Sequence, residues 1–320
     1  MAVVANQMKY FITGGAGFIG SHLVDKLVGE GNQVTVFDSL VSGKKEHIGH
    51  HIGKSNFHFI LDDLLNYAAL QEAMKGQDVV WHLGSNTDII TGNRVTDLDL
   101  KNTTTGTYNV LEAMRRNKVN NLLFASSSTV NGDVPPTPLS ETHGPLLPIS
   151  LYGAGKLACE GLISAYSHLF GIKACMFRFG NVVGARMGHG VIHDFIQKLK
   201  KNPKELEILG DGNQEKNFFL VEECLDGMWW AFQKSGQQCD IFNLGCASSI
   251  KVREIGEIVA EEMGLKNVNF RYTGGIRGWP GDAPYVLFNV DKMKRLGWQT
   301  KHSSAEAVRI AAGRLLHEER

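Results

Sequence analysis

The stretch Lys9 to Gly20, KYFITGGAGFIG, constrains the fold of this chain more than any other. Lys9 to Thr13 is a short apolar run rich in aromatic and β-branched residues, which predicts a buried strand. Gly14, Gly17 and Gly20 follow, and Ser21 to Val28 has helical periodicity, with Leu23, Leu27 and Val28 on one face. Strand, glycine turn and helix start are the context in which a G-x-G-x-x-G pattern, here Gly15, Gly17 and Gly20, carries chemistry. Gly14 permits the tight turn, Gly17 lets backbone approach a pyrophosphate, and Gly20 lets helix and strand pack closely. The helix N-terminus then offers unpaired N–H groups and a partial positive charge to the phosphates. Gln33 to Phe37 reads as a second strand ending in Asp38. A carboxylate there accepts hydrogen bonds from the adenosine ribose and repels a 2′-phosphate, which favours NAD over NADP.

A chain of 320 residues can bury a large core and form one large or two smaller domains. Lys and Arg total 33, as do Asp and Glu, and the interspersed charges give no basic face for nucleic acid. No apolar run approaches the roughly 18 residues of a membrane helix. The N-terminal MAVVANQ lacks a basic region and a long apolar run, so it reads as a short tail. The five cysteines, Cys159, Cys175, Cys224, Cys239 and Cys246, are odd in number and include no C-x-x-C pair. That argues against a disulfide framework and a zinc site, and it makes the cytoplasm the default compartment.

Beyond Asp38 comes a glycine-containing loop with His47, His50 and His51, and His58 nearby. No acidic or cysteine neighbour in the sequence completes a ligand set, so it reads as solvated loop. Asn56 to Leu61 predicts a third strand, ending at Asp62 and Asp63, and LLNYAALQEAMKG an amphipathic helix. Asp78 to Leu83 predicts a fourth strand, followed by Gly84 and Ser85. Ligands bind outside the carboxyl ends of strands in open parallel sheets, so Asp63, Leu83, Gly84 and Ser85 should border the cofactor. Asp99 to Asn117 reads as one long helix, and Asn121 to Ala125 as a fifth strand closed by Ser126 to Thr129. Val134 to Pro148 is long enough to form a wall or lid.

Tyr152-Gly-Ala-Gly-Lys156 opens the next helix, and residues at i and i+4 share a face. A tyrosine is a useless base at its reference pKa of about 10. A neighbouring ammonium, with the positive nicotinamide of NAD, favours tyrosinate and brings it toward neutrality. Lys173 to Phe179 predicts a sixth strand, ending at Asn181, beyond which the βαβ rhythm breaks. His189 and His193 stand four apart without a visible third ligand, so no metal site is expected there either. The helix from Val221 to Gln233 contains Trp229 and Trp230, read as core. IFNLG predicts a further strand, and helices are expected over Val252 to Met263, Asp291 to Leu296 and from Ser303.

TGGAGFIG, Asp38, the Ser126–Ser128 block before Val130-Asn-Gly132, YGAGK, RFGNVVGAR and GWPGD together resemble the extended short-chain dehydrogenase/reductase family of nucleotide-sugar enzymes. The similarity covers essentially the whole chain, and UDP-glucose 4-epimerases are the most similar branch. The resemblance implies a fold in which residues 1–180 form an NAD-binding, doubly wound parallel α/β sheet of Rossmann type. A return segment near residues 217–247 would join it, and residues 181–320 would mainly form a smaller α/β nucleotide-sugar domain. It implies that Ser127 binds the sugar's O4, with Tyr152 as base and Lys156 as its partner on the nicotinamide ribose. Gly14, Gly17, Phe18, Ile19, Gly20, Asp38, Ser39, Gly43, Asp63, Leu64, Leu83, Gly84 and Ser85 match cofactor positions. Asn102-Thr103 falls where the family has an asparagine; Thr103 is assigned to the cofactor, with the alignment between the two left open. Asn181, Lys216 and Arg277 match residues that hold the nucleotide diphosphate, and Asp282 one that reaches the uridine ribose. Lys216 stands in place of the family's arginine, Asn131 in place of a tyrosine, and Gly155 in place of the commoner serine.

The implied reaction is oxidation at C4, rotation of the 4-keto sugar about its diphosphate link, and reduction from the opposite face. A 4,6-dehydratase needs an Asp-Glu pair directly after the catalytic hydroxyl, where this chain has Ser128 and Thr129. Epimerases of UDP-glucuronate or UDP-N-acetylhexosamine remain open, as, with less support, do a decarboxylase and a non-catalytic NAD-binding regulator. Dimerisation through the helices Asp99–Asn117 and Tyr152–Phe170 is a further expectation by resemblance.

Overall fold

The computed structural model describes residues 7–318; Met1 to Asn6, most of the expected N-terminal tail, lie outside the described residues. The first half alternates as the glycine fingerprint requires. Strand β1 (Lys9–Thr13) leads into α1 (Phe18–Gly29), followed by β2 (Gln33–Asp38), β3 (Phe57–Leu61), α2 (Tyr67–Ala73) and β4 (Val79–His82). Next come α3 (Ile89–Arg94), α4 (Gly106–Asn117), β5 (Asn121–Ser127), α5 (Leu151–Phe170) and β6 (Lys173–Phe179). The expected helix from Asp99 is really two segments: a π turn over Leu100–Thr105 runs into α4 at Gly106. Helix α3 carries no apolar stripe in the sequence and went unexpected; its Asp88 side chain accepts from the Thr91 N–H and caps it.

The elements that follow are short. They are β7 (Asn181–Val183), α6 (Val191–Lys201), β8 (Glu205–Ile208), β9 (Glu215–Lys216), β10 (Phe218–Leu220), α7 (Val221–Lys234) and β11 (Cys239–Leu244). The chain closes with β12 (Ile250–Lys251), α8 (Val252–Glu262), β13 (Asn269–Tyr272), β14 (Tyr285–Val286), α9 (Asp291–Arg295) and α10 (Ser304–Glu318).

Seven strands form the main sheet, in the order β11-β6-β5-β4-β1-β2-β3. The order reverses between β1 and β4, which is the switch point where α/β sheets of this kind hold their ligands. Strands β1 and β2 run parallel with Lys9 opposite Gln33 and Thr13 opposite Phe37; β4 lies on the other side of β1, His82 opposite Thr13. That register brings the ends of β1, β2 and β4 to one edge. Their apolar runs are continuous because helices cover both faces. Phe11, Val80, Leu122 and Phe124 of the sheet are buried with Leu70, Val110, Leu111, Met114, Cys159 and Ile163 from α2, α4 and α5.

Contacts divide the chain into two compact units, residues 1–126, 151–177 and 231–241, and residues 127–150, 178–230 and 242–320. The second unit contains three small sheets, β10-β7, β12-β9-β14 and β13-β8. Buried Ser304 at the start of α10 fastens it: its hydroxyl accepts from Phe218 N–H (2.9 Å) and meets the Ser248 carbonyl (2.8 Å). The two tryptophans of α7 are not core. Trp230 is exposed, because it lies on the outer side of α7, where its indole N–H donates to the Leu296 carbonyl at 2.7 Å. Trp229 is half-buried.

Candidate active site

The glycine turn is built by close approach. Gly14 has a φ of +69°, and a Cβ there would lie 2.8 Å from Gly84 Cα. A Cβ at Gly20 would fall 2.1 Å from the Gly14 carbonyl oxygen, so Gly20 packs on the turn itself rather than on the strand. Gly15 is equally constrained, since a Cβ would sit 2.6 Å from Val36 Cγ1 of β2. Helix α1 starts at Phe18 with no side-chain cap and no acidic residue in its first turn. Its terminal N–H groups and dipole therefore suit an anion. Phe18 and Ile19 are half-buried beside it.

Asp38 closes β2, buried; its Oδ2 accepts from Ala16 N–H (2.9 Å) and its Oδ1 from Leu40 N–H (2.8 Å). Burial raises this carboxyl, and the two backbone hydrogen bonds pull it back. Gly43 must be small here as well, because a Cβ would meet Asp38 Oδ1 and Ala16 at 3.0 Å. Ser39 follows Asp38 and is exposed. Asp63 is exposed and accepts from Leu65 N–H at 2.8 Å, while the Leu64 carbonyl accepts from Asn109 at 2.8 Å. Leu83, Gly84 and Ser85, all half-buried, leave β4 at the same edge. The cradle fits a dinucleotide: backbone-lined, positive at the helix end, with a carboxylate fixed at the end of β2.

His82, which sequence reasoning missed, locks this edge. Its Nδ1 lies 2.7 Å from Thr13 Oγ1 and its Nε2 2.9 Å from Thr107 Oγ1, while Thr13 Oγ1 also accepts from Gly84 N–H at 3.0 Å. Burial, and then the Lys156 charge, push His82 down to about 3, so it works as a neutral hydrogen-bonding bridge. Only an apolar strand with a histidine in it is visible in the sequence.

Tyr152 and Lys156 lie in the first turns of α5. Lys156 is 2% exposed; its ammonium donates to the Ala125 carbonyl at 2.7 Å and stands 4.9 Å from the Phe124 ring centroid and 5.8 Å from that of Tyr152. Burial lowers it to about 8, offset partly by Cys159, then Asp99 and Glu160. The serine block divides by role. Ser126 is buried and donates to Glu160 Oε1 at 2.6 Å. Ser127 Oγ accepts from the Thr129 N–H (3.2 Å) and hydroxyl (2.9 Å), and Ser128 and Thr129 start a 3₁₀ turn. Thr103 is buried, whereas Asn102 is half-buried; a Cβ added at Gly155 would lie 3.6 Å from Thr103 Cβ.

In the second unit the structure gathers three of the four expected diphosphate and ribose residues. Lys216 Nζ pairs with Asp282 Oδ1 at 2.6 Å, Asp282 Oδ2 accepts from Gly278 N–H at 3.1 Å, and Arg277 Nη1 donates to the Asp282 carbonyl at 2.6 Å. Arg277 also pairs with Asp133, and the Trp279 ring lies 5.4 Å from the Lys216 ammonium. Asn181 stands apart from that cluster in hydrogen-bonding terms, its amide donating to the Asn217 carbonyl at 3.1 Å. Asn131 is buried; its amide donates to Ser128 O at 3.1 Å, its Oδ1 has no hydrogen-bond partner among the described residues, and it lines a small cavity with Leu139, Tyr285 and Phe288.

An acidic residue does reach the histidine loop, contrary to the sequence expectation. Asp25 of α1 brings one carboxylate oxygen within 2.8 Å of His50 Nε2 and 2.6 Å of His51 Nε2. The three form the one group of metal-ligand type among the described residues. The Lys54 ammonium, 2.9 Å from His51 Nδ1, occupies the place where a metal-bound imidazole needs an acceptor. The cluster reads as a hydrogen-bonded tie between the loop and α1.

A glycine turn at the switch point, a fixed carboxylate after β2, and a tyrosine one turn from a buried lysine define a nicotinamide-dependent enzyme of Rossmann type. The profile of the NAD dependent epimerase/dehydratase family matches residues 10–245, and the chain belongs to that family, within the extended short-chain dehydrogenase/reductases. NAD is its cofactor and its activity class is nucleotide-sugar epimerase. A protein of Methanocaldococcus jannaschii assigned as a UDP-glucose 4-epimerase is 32% identical over 93% of this chain and 95% of its own length. The crystal structure of a UDP-galactose 4-epimerase is 37% identical, covers 97% of this chain and 99% of its own, and superposes with a TM-score of 0.86. A UDP-glucuronic acid 4-epimerase from Bacillus cereus, in complex with UDP-glucuronic acid and NAD, is 25% identical, covering 97% of this chain and all of its own, with a TM-score of 0.87.

Proposed function

We propose that this enzyme interconverts the C4 epimers of a UDP-hexose, of the UDP-glucose/UDP-galactose type. The observation that carries the reading is the Tyr152–Lys156 pair beside the NAD cradle, with Ser128 and Thr129 in place of an acid pair after Ser127. The bound NAD would supply reversible hydride exchange at C4, so no second substrate is consumed. Tyr152 takes the proton from the 4-hydroxyl, and Lys156, held by the Ala125 carbonyl, stabilises the phenolate. Ser127 holds O4. In the second unit Asn181, Lys216 and Arg277 hold the diphosphate and Asp282 the uridine ribose, while the 4-keto sugar turns about its link. Neither Ser128 nor Thr129 can act as an acid and base near neutral pH, which sets a dehydratase aside.

Support for the sugar comes from the 37% identity to a UDP-galactose 4-epimerase. The likeness to a UDP-glucuronic acid 4-epimerase favours a second reading, in which C6 is a carboxylate. Incubation of the purified protein with UDP-glucose, UDP-N-acetylglucosamine and UDP-glucuronate, without added reductant, decides between them by NMR of the anomeric proton. A galacto signal from one of them names the reaction and the sugar together; a 4-keto-6-deoxy product would refute epimerisation. The proposal includes a cytoplasmic homodimer, supported by five free cysteines and by exposed Tyr108 on α4 and Leu151, Leu169 and Phe170 on α5.

A further inference from the structure

The loop of residues 39–56, which joins β2 to β3, is fastened to the cofactor cradle near one end and to helix α1 near the other. The first fastening is Ala16, in the middle of the glycine turn. Its N–H donates to Asp38 Oδ2 at 2.9 Å, and its carbonyl accepts from Lys44 N–H at 3.0 Å and from His47 Nδ1 at 3.1 Å. A carbonyl only accepts, so His47 carries its hydrogen on Nδ1. Gly43 packs against the same carboxylate and against Ala16. Ile48, fully buried, anchors the middle of the loop.

The second fastening joins Asp25 to His50 and His51. Both imidazoles bring Nε2 to one oxygen of Asp25, at 2.8 and 2.6 Å. The Lys54 ammonium has hydrogens to give and no acceptor. Its 2.9 Å contact therefore makes His51 Nδ1 the acceptor and puts the ring hydrogen on Nε2, toward Asp25. Lys54, His51 and Asp25 form a directed chain in which each donor meets an acceptor, and His50 adds a second donor. His51 is 4% exposed, and its ring centroid lies 4.0 Å from that of His50 and 5.6 Å from that of Phe57, which fixes the chain in place. Asp25 sits inside α1, where alanine would be the better helix former. What the aspartate contributes is the tie.

We propose that the Asp25–His50–His51 tie is a retaining clasp for the cofactor: it holds the 39–56 loop against Ala16 and Asp38 and so sets how slowly NAD leaves. Asp25 and His51 are positioning residues that act through the loop. In the proposed reaction the hydride returns to the same sugar, so one NAD serves many turnovers. A preformed wall at the ribose carboxylate lowers the ordering cost of keeping it bound. The inference rests on the glycine turn and Asp38 as the NAD cradle, goes beyond the sugar assignment, and needs no turnover to test.

The holoenzyme is loaded with NADH, and release is followed by fluorescence after dilution into excess NAD. Asp25→Ala should release NADH roughly tenfold faster than wild type, whereas Asp25→Asn, whose amide oxygen still accepts, should stay within about threefold. Helix propensity favours alanine over asparagine, so a rate governed by α1 alone would rank the two variants the other way and overturn the proposal. His51→Ala should add little to Asp25→Ala, because the two remove one interaction; additive effects would overturn it as well. If Asp25→Ala does not fold, His50→Ala, at an exposed position, still decides: release should quicken by about threefold, and a wild-type rate would refute the clasp. UDP affinity, read by calorimetry, should be unchanged in every variant, since the residues assigned to UDP belong to the second unit. A parallel loss of UDP binding would mean a general loss of structure and would count against the clasp. A wild type that binds NADH and turns over no nucleotide sugar would sink the proposed function and leave these release rates decisive.

Discussion

At the scale of single residues, the proposed chemistry turns on Tyr152 and Lys156. Tyr152→Phe removes the proton acceptor and leaves the cradle intact, so turnover should fall on the order of 10²–10⁴-fold with NAD still bound. A fully active Tyr152→Phe enzyme would end the assignment. The buried lysine gives opposite pH trends to activity and stability. Its proposed role requires the charge, so kcat/KM should fall as pH rises through about 8. Its folded value lies below the ordinary 10.5, so between these values the unfolded chain binds the extra proton. The cost of burying that charge, roughly 3 kcal/mol, is therefore relieved as pH rises from about 8 to 10.5, provided Lys156 alone is considered. Comparing melting curves of wild type and Lys156→Met across that window isolates the contribution.

Among the elements, the β1–turn–α1 unit is the most sharply specified. Gly20→Ala puts a methyl 2.1 Å from the Gly14 carbonyl oxygen, which forces α1 away from the turn. The expected result is a loss of about 1–3 kcal/mol and of NAD affinity, read by unfolding and by cofactor content after gel filtration. Sequence reasoning found this unit because strand, turn and helix start are consecutive and each leaves a local periodicity. It missed His82, whose partners Thr13 and Thr107 lie 69 and 25 residues away, so no window of sequence contains the bridge. His82→Ala should destabilise by about 1–3 kcal/mol, since Thr13 and Thr107 lose a buried partner. The acid side has a definite sign as well. His82 is held near 3, below its ordinary 6.5, so its contribution to stability is present above about 6.5 and drains as pH falls toward 3. Chemical unfolding of the His82→Ala protein should therefore show a weaker acid dependence than wild type.

For the whole molecule, the candidate NAD residues fall in the first unit, whereas Asn181, Lys216, Arg277 and Asp282 fall in the second. Ligand protection should map accordingly. At a hundredfold excess over Kd each ligand adds about 2.7 kcal/mol to the states that bind it. Hydrogen exchange should slow around Gly14 to Gly20 and Asp38 with NAD, and around Lys216 and Arg277 to Asp282 with UDP. Protection by UDP confined to the glycine turn would refute the assignment of the second unit.

The sequence by itself determined the parallel α/β alternation, the glycine turn, the carboxylate after β2 and the Tyr152–Lys156 spacing. Each of these is written in neighbours or in residues four apart, where backbone geometry alone fixes which side chains meet. Tertiary structure decided the electrostatics. It set Asp99 against the YGAGK turn, joined Lys216 to Asp282 across 66 residues, and gave the histidine loop an aspartate from α1. It also moved Trp230 from expected core to surface, because an apolar helix does not announce which of its faces is covered. Whether a charge is balanced or stranded depends on what the fold packs beside it, and one-dimensional spacing holds no record of that.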